Sequence, residues 1–356
     1  MPPGSLPFSP GSLPFSTGDL PGSGGALRRT PEDFRVDEVP AYLPSGAGPH
    51  LYVRIEKRGR TTRDVLAALA RALGVPERDA GYAGLKDRDA VTTQWLSFPV
   101  ARDPDRAALE SAGLAVLEVS RHANKLRPGH VRGNVFSIAV RGGDAARAGA
   151  CAAALAERGL PNFFGPQRFG VEGRNAAVGR ALLLGEQTAE ARRAARDRFL
   201  RRLSISAYQS LLFNRWLAER MRDGLFAAAL AGDVMKKLDT GGLFTCQDPG
   251  ADGPRVARFE ISPAGPMFGH KLLPAAGEAL AREERIIAGD GVGLADFARG
   301  GGEAEGTRRA ARLRVEPAIA PLDDGYRARF ELPKGSYATV VMRELMKSEG
   351  ELPEED

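Results

Sequence analysis

The stretch "YAGLKDRDAVTTQW", residues 82–95, places two carboxylates, Asp87 and Asp89, beside two cations, Lys86 and Arg88. The segment on its N-terminal side reads as a helix. "TTRDVLAALARALG" (61–74) carries an apolar stripe of Val65, Leu66, Leu69 and Leu73, a cap at Thr61 or Thr62, and a stop at Gly74 and Pro76. On its C-terminal side "QWLSFPV" (94–100) reads as a strand. A charged turn at such a junction is either an ordinary surface turn or a site in which Asp87 is a nucleophile, a base or half of an ion pair. Gly81 and Gly84 permit tight backbone paths there. Thr92, Thr93 and Gln94 add neutral hydrogen-bonding groups.

Outward from this stretch, both ends of the chain share a mixed texture. "DFRVDEVP" (33–40), "HLYVRIEKR" (50–58), "LAVLEVSR" (114–121) and "NVFSIAVRG" (134–142) read as strands. "DPDRAALESAG" (103–113) is a short helix and "DAARAGACAAALAERG" (144–159) a strong one. From Pro161 to about Thr307 helical patterns dominate: 175–185, the Arg-rich 188–202, and 204–224. The Gly-rich stretches 249–259 and 298–307 read as loops. Residues 324–346 then return to strand, turn and helix. The pattern predicts a catalytic-type domain of residues 27–160 plus 308–356, interrupted by an insertion of residues 161–307. Residues 1–26, rich in Pro, Gly and Ser and containing GSLPFS twice, are expected to be a disordered tail.

Composition excludes several classes. The 356 residues, 43% hydrophobic, suffice for one large or two moderate cores. No apolar run approaches the ~20 residues of a membrane helix, and the N-terminus lacks a signal-peptide pattern. Cys151 and Cys246 are far apart, and the four histidines are scattered, which argues against a disulfide framework or a zinc site and for the cytoplasm. No phosphate-binding loop, dinucleotide fingerprint or nucleophile elbow is present, which weakens the classes that rely on them. The charge, 50 Lys+Arg against 45 Asp+Glu, is mildly basic.

Its distribution is more informative. "RHANKLRPGHVRGNVFSIAVR" (121–141) holds five Lys/Arg, Arg132 among them, and no acid, which suits a polyanion. Asn134 and Phe136 stand where this loop becomes a strand, and alternation puts them on one face. There an amide can read a base edge, and a ring can stack on a base or belong to the core. "GLPNFFGPQRFG" (159–170) reads as a hydrophobic joint with Arg168 at its tip, within reach of a phosphate. The Arg-rich helix is either a solvated face or a track for an RNA backbone.

These motifs, in this order, resemble the TruD family of pseudouridine synthases. "TPEDFRVDE" (30–38), the opening stretch, 121–136, 159–170, "SAYQSLLFNRWLAER" (206–220), "GPMFG" (265–269) and "LPKGSYATVVMREL" (332–345) carry the resemblance across residues 27–348. It implies an α+β fold: a core with a mixed, mainly antiparallel sheet flanked by helices, interrupted by an α+β insertion. It implies isomerisation of an RNA uridine to pseudouridine, in the bacterial branch near position 13 in the D arm of tRNA. No cofactor or metal, no obligate protein partner and a monomer are implied. The aspartate of the family's "GLKD" motif falls on Asp87 as the catalytic residue. The Asn and Phe of "GN-x-F" fall on Asn134 and Phe136, the ring stacking on the target uracil. A basic residue before "PEDF", commonly Lys in relatives, falls on Arg28. Asp89 stands where some relatives carry His and is read as structural or tuning, not catalytic. A carboxylate in a half-buried pocket needs a nearby cation to stay ionised; Lys86, Arg88 or Arg28 is expected to supply it. Arg132 and Arg168 are expected on the RNA-binding surface. The rivals are a non-catalytic RNA-binding protein on the same fold and a metal-dependent nuclease using Asp87 and Asp89.

Overall fold

The computed structural model describes residues 13–27, 30–110 and 113–347. It divides into two compact units. Of the described residues, one comprises those in 20–153, 315–338 and 345–347; the other comprises 13–19, 154–314 and Thr339–Glu344. The divisions fall at 153/154 and 314/315.

Strands β1 (Ala26–Leu27), β2 (Phe34–Pro40), β3 (His50–Lys57), β4 (Gly81–Tyr82), β5 (Val91–Phe98), β6 (Ala115–His122) and β7 (Val131–Arg141) belong to the first unit. The second takes β8 (Leu160–Pro161), β9 (Val234–Lys237), β10 (Leu243–Thr245), β11 (Ile261–Met267), β12 (Thr307–Ala310) and β13 (Arg312–Leu313). Strands β14 (Ala318–Leu322) and β15 (Gly325–Pro333) return to the first. There the strands form one sheet in the order β14-β15-β7-β2-β5-β3-β6, with β1 added to β7 and β4 to β5. Only β2–β5 is parallel among the described pairs, so the sheet is mixed and mainly antiparallel. The two chain ends rejoin in it through β15 and β7, paired from Tyr326↔Val140 to Pro333↔Gly133.

Helix α1 (Thr62–Ala72) explains the core of this unit. Its N-cap is Thr61, whose hydroxyl accepts from the Asp64 N–H while the Asp64 carboxylate accepts from the Thr61 N–H. Val65, Leu66 and Leu69 pack on Leu51, Val53 and Ile55 of β3 and on Leu96 and Phe98 of β5. Leu69 is fully buried, and truncating it to Ala costs about 2–5 kcal/mol. Strand β5 is buried at every position, as a covered central strand must be. Two further helices come after it, α2 (Arg106–Glu110) and α3 (Ala145–Arg158).

The second unit holds α4 (Arg174–Leu184), α5 (Ala189–Arg196), α6 (Arg198–Arg222), α7 (Pro249–Ala257) and α8 (Gly277–Ala288), a sheet ordered β10-β9-β11-β12, and the pair β13-β8. Two expectations are corrected here. The Arg-rich stretch 188–202 is not one helix. Asp197 ends α5 and caps α6 by accepting from the Phe199 and Leu200 N–H groups, so α6 runs on through Ser204. Residues 249–259 are largely helical, because Asp248 accepts from the Gly250 and Ala251 N–H groups and Pro249 sits where no donor is needed.

The expected disordered tail is also corrected over its described part. In the second unit the Glu344 carboxylate, on α9 (Ala338–Met346), accepts from Ser16 N–H at 2.9 Å and from Thr17 N–H and Oγ1 at 3.1 and 2.6 Å. In the first unit Ser23 meets the Tyr326 hydroxyl at 2.8 Å, and β1 pairs with β7. A composition that cannot build a core is thus held by polar partners that satisfy its backbone. Among the described residues no helix is long and apolar enough to cross a membrane.

Candidate active site

Asp87 lies in the loop between β4 and β5, half-buried. The loop enters past Gly81, where a Cβ would come within 2.3 Å of the Leu126 carbonyl oxygen, so glycine is required there. At Gly84 a Cβ would make only ordinary contact, 3.8 Å from Lys86 Nζ and 3.9 Å from Glu38 Oε2, so no close approach demands glycine there. Three neutral groups then fix the loop. The Lys86 N–H donates to Thr62 Oγ1 at 2.8 Å, Thr62 Oγ1 donates to Gln94 Oε1 at 3.0 Å, and Gln94 Nε2 donates to the Gly84 carbonyl at 3.3 Å. At Asp87 the side chain folds back and Oδ1 accepts from the Asp89 N–H at 3.0 Å. Asp89 itself is exposed, and it meets Asp87 through its backbone.

The cations sort themselves by partner. Lys86 Nζ donates to Asn134 Oδ1 at 2.7 Å and sits 3.0 Å from Glu38 Oε2, in a pair that is 6% and 0% exposed. Asn134 and Glu38 face one another across β7 and β2, which places them together. The Glu38 carboxylate also accepts from the Trp95 N–H at 3.2 Å. Lys86 is therefore largely neutralised by Glu38. The second cation is Lys57, the last residue of β3, only 2% exposed. Its Nζ donates to the Asp87 carbonyl oxygen at 2.5 Å. Burial pushes its ammonium down to about 8, and the Asp87 charge opposes that fall.

The other expected residues are scattered. Arg88 is exposed. Arg132 is exposed and pairs with Glu331 at 3.1 Å. Arg168 belongs to the second unit, where its Nε donates to Ser210 Oγ at 3.2 Å, its Nη2 donates to Ser206 Oγ, and its guanidinium lies 5.8 Å from the Phe164 ring centre. Phe136 is 8% exposed, stacked at 5.5 Å on Phe330 and edge-on to Phe34 at 6.3 Å. In this structure it is part of the core. Arg28 lies outside the described residues.

Lys57, Glu38 and Thr62 were not singled out from sequence as site residues, although a signal existed for the two charges. Lys57 falls in phase with Leu51, Val53 and Ile55 on β3, and Glu38 in phase with Phe34 and Val36 on β2. A charge at a core position of a strand needs a partner. Among the described residues no group of three or more His, Cys, Asp or Glu side chains is placed to hold a metal ion.

The loop thus holds a half-buried carboxylate whose backbone is gripped by a buried ammonium, beside a Lys–Glu–Asn cluster. A family model described as tRNA pseudouridine synthase D (TruD) matches residues 15–195 and 186–345. An Anaeromyxobacter sp. (strain Fw109-5) protein named tRNA pseudouridine synthase D is 82% identical over 332 residues, 93% of this chain and 95% of that protein. One of the same name from Thermus thermophilus is 46% identical over 330 residues, covering 91% and 89%. A crystal structure of a Methanosarcina mazei protein, provisionally described as tRNA pseudouridine synthase D, superposes with a TM-score of 0.76 at 25% identity over 95% of this chain and 97% of that one. With the family model matched along nearly its whole described length, the chain belongs to the TruD family of pseudouridine synthases.

Proposed function

We propose that this pseudouridine synthase acts on tRNA, isomerising a uridine near position 13 of the D arm, with Asp87 as the catalytic residue. The observation that carries this reading is the grip of Lys57 on the Asp87 carbonyl, with Asp89 N–H holding Oδ1. It fixes one carboxylate beside a buried positive charge.

The chemistry suits that arrangement. The bond from uracil N1 to ribose C1′ breaks, the base turns, and C5 bonds to C1′ while the C5 proton leaves and N1 gains one. Nothing is oxidised and no group is donated. An ionised Asp87 can attack C1′, or accept a proton from C2′ to give a glycal. In this reading the unit containing Asp87 is the catalytic domain and the other unit the insertion. The Asn134 amide, held by Lys86, meets a uracil edge in this reading. Extruding the uridine costs a few kcal/mol, which stacking offsets. Phe136 meets the uracil only if its ring is uncovered when RNA binds. The basic stretch 121–141, with Arg132, and Arg168 contact the RNA backbone. The protein acts as a cytoplasmic monomer, which sedimentation of the purified chain checks for its oligomeric part.

Membership of a synthase family leaves a purely RNA-binding role without support of its own. The deciding experiment is pseudouridine mapping on tRNA treated with the wild type and with Asp87→Ala. Modification is expected with the first and lost with the second. Equal modification by both overturns the assignment of Asp87.

A further inference from the structure

At the other end of β3 from Lys57, roughly 23 Å away along the strand, a cavity of about 660 Å³ opens in the first unit. Three of the four histidines of the chain line it, His50, His122 and His130, with Tyr42, Lys125 and Arg127. No acidic residue lines it among the described residues. The strand pairing His50↔His122 and the basic loop before β7 bring these groups together. That loop is part of the acid-free stretch 121–141.

The chemistry of the lining is specific. The Ser45 N–H donates to His122 Nδ1 at 3.2 Å, and the Arg127 N–H donates to His130 Nδ1 at 3.4 Å. A ring nitrogen that accepts from a backbone N–H carries no hydrogen, so in each neutral ring Nε2 is the donor. The Tyr42 hydroxyl, 2.7 Å from His130 Nδ1, reinforces that tautomer. Tyr42 stacks on His122 at 5.0 Å and stands edge-on to His130 at 5.5 Å, which makes an aromatic wall. His50 Nδ1 is buried with no hydrogen-bond partner among the described residues. Lys125 Nζ is steadied by one bond, 2.8 Å to the Arg78 carbonyl. The cavity therefore offers flat rings, ring N–H donors and two cations. It suits a ligand with a planar heterocycle, many acceptors and negative charge.

We propose that this cavity is a second nucleotide-binding site, taking one extrahelical nucleotide of the RNA substrate other than the target uridine. The base lies against Tyr42 and His122, and its phosphate meets Lys125 and Arg127. This rests on the reading of RNA as substrate. It would let the enzyme check a second position of its RNA while Asp87 engages the first.

The test monitors the histidine ring resonances of the whole chain by NMR, with adenosine 5′-monophosphate as a probe that cannot be the substrate base. His50, His122 and His130 are expected to shift, and His270, which belongs to the other unit, to stay. Substrate tRNA is expected to move the same three at lower concentration. Inorganic phosphate alone is expected to move them less than the nucleotide. His122→Ala is expected to raise KM for RNA about fivefold or more with kcat retained. Shifts of all four rings alike, no shifts, an equal response to phosphate, or tighter binding of the free nucleotide than of RNA overturns the proposal. Should His122→Ala fail to fold, the wild-type resonances decide alone. The same shifts in Asp87→Asn separate this site from the catalytic reading: turnover lost with shifts kept leaves both standing. A wild type that shifts but forms no pseudouridine removes only the assigned activity.

Discussion

The two units bury positive charge in different ways. In the second unit the buried cations are arginines with saturated partners. Arg220 is held by Asp233 at 3.0 and 2.6 Å and by the carbonyls of Leu225 and Ala228. Arg308 is held by Glu283 at 2.5 and 3.0 Å and by the carbonyls of Leu273 and Ala264. Arg312 donates to the carbonyls of Glu157, Arg158 and Val256 and lies 3.9 Å from the Phe259 ring centre. In the first unit, beside Asp87, the buried cations are Lys57 and Lys86. A guanidinium uses a fixed fork of donors and stays charged at neutral pH even where burial lowers it, to about 10 at Arg312; an ammonium is a compact charge, and burial brings Lys57 down to about 8, close to the working range. Burial of a cation therefore does not mark a site. A cation whose partners are all structural is scaffold, whereas Lys57 holds the backbone of a loop that carries a half-buried carboxylate, the arrangement proposed to serve the chemistry.

Four measurements put this contrast at risk. Asp87→Asn is expected to lower pseudouridine formation by about 10³-fold or more, since it removes the reacting carboxylate. Its RNA dissociation constant, measured by titration, should hardly move; comparable loss of both would make Asp87 a folding residue like those of the second unit. Arg308→Met is expected to destabilise by about 3–5 kcal/mol in urea unfolding, because Glu283 is left buried and unpaired. Burial already raises the Glu283 carboxyl against the pull of Arg308. Adding Glu283→Leu should recover much of the loss. A single variant as stable as the wild type would end the description of Arg308 as scaffold.

Lys57→Met comes next, with an expected loss of about 10²-fold in kcat. Its sign in pH is specific. The Lys57 ammonium lies near 8 when folded, below its usual 10.5, so the unfolded chain holds more protons between those values. Folding stability from this group therefore rises as pH goes from about 8 to 10.5, and its cost is full below 8. Lys57→Met should stabilise the fold at neutral pH while it removes activity. In the wild type kcat/KM should fall above about pH 8 as the ammonium is lost, and Lys57→Arg should flatten that fall. A wild-type profile with no fall on the alkaline side would detach Lys57 from the reaction. The smallest effect is expected at Arg132→Ala, which should reduce the slope of log binding against log salt by about 1. An unchanged slope would remove Arg132 from the RNA surface and leave it as the partner of Glu331.

Much of the fold was legible. The stripe of α1 and the alternation of β2 and β3 predict their elements because each buries one face, and periodicity reports that face directly. The cap of α6 at Asp197 was harder to see, since the flanking arginines continue a helical pattern across it. The ordered path of residues 13–26 was hidden for another reason. Pro, Gly and Ser signal a missing core, and composition carries no sign of the distant Glu344 carboxylate that holds Ser16 and Thr17. Of the proposed site, Asp87, Lys86 and Asn134 stand out in the sequence by type and position, but the partners the fold gives them do not.

Residue type and order along the chain are enough for the family, through seven ordered motifs, and for proposing Asp87 as the carboxylate. Folding in three dimensions was needed to learn that Lys57 grips Asp87 from 30 residues away, that Lys86 answers to Glu38, and that three histidines share one cavity. Strand pairing brings residues together irrespective of their separation in sequence, and an electrostatic partner is defined by distance in space.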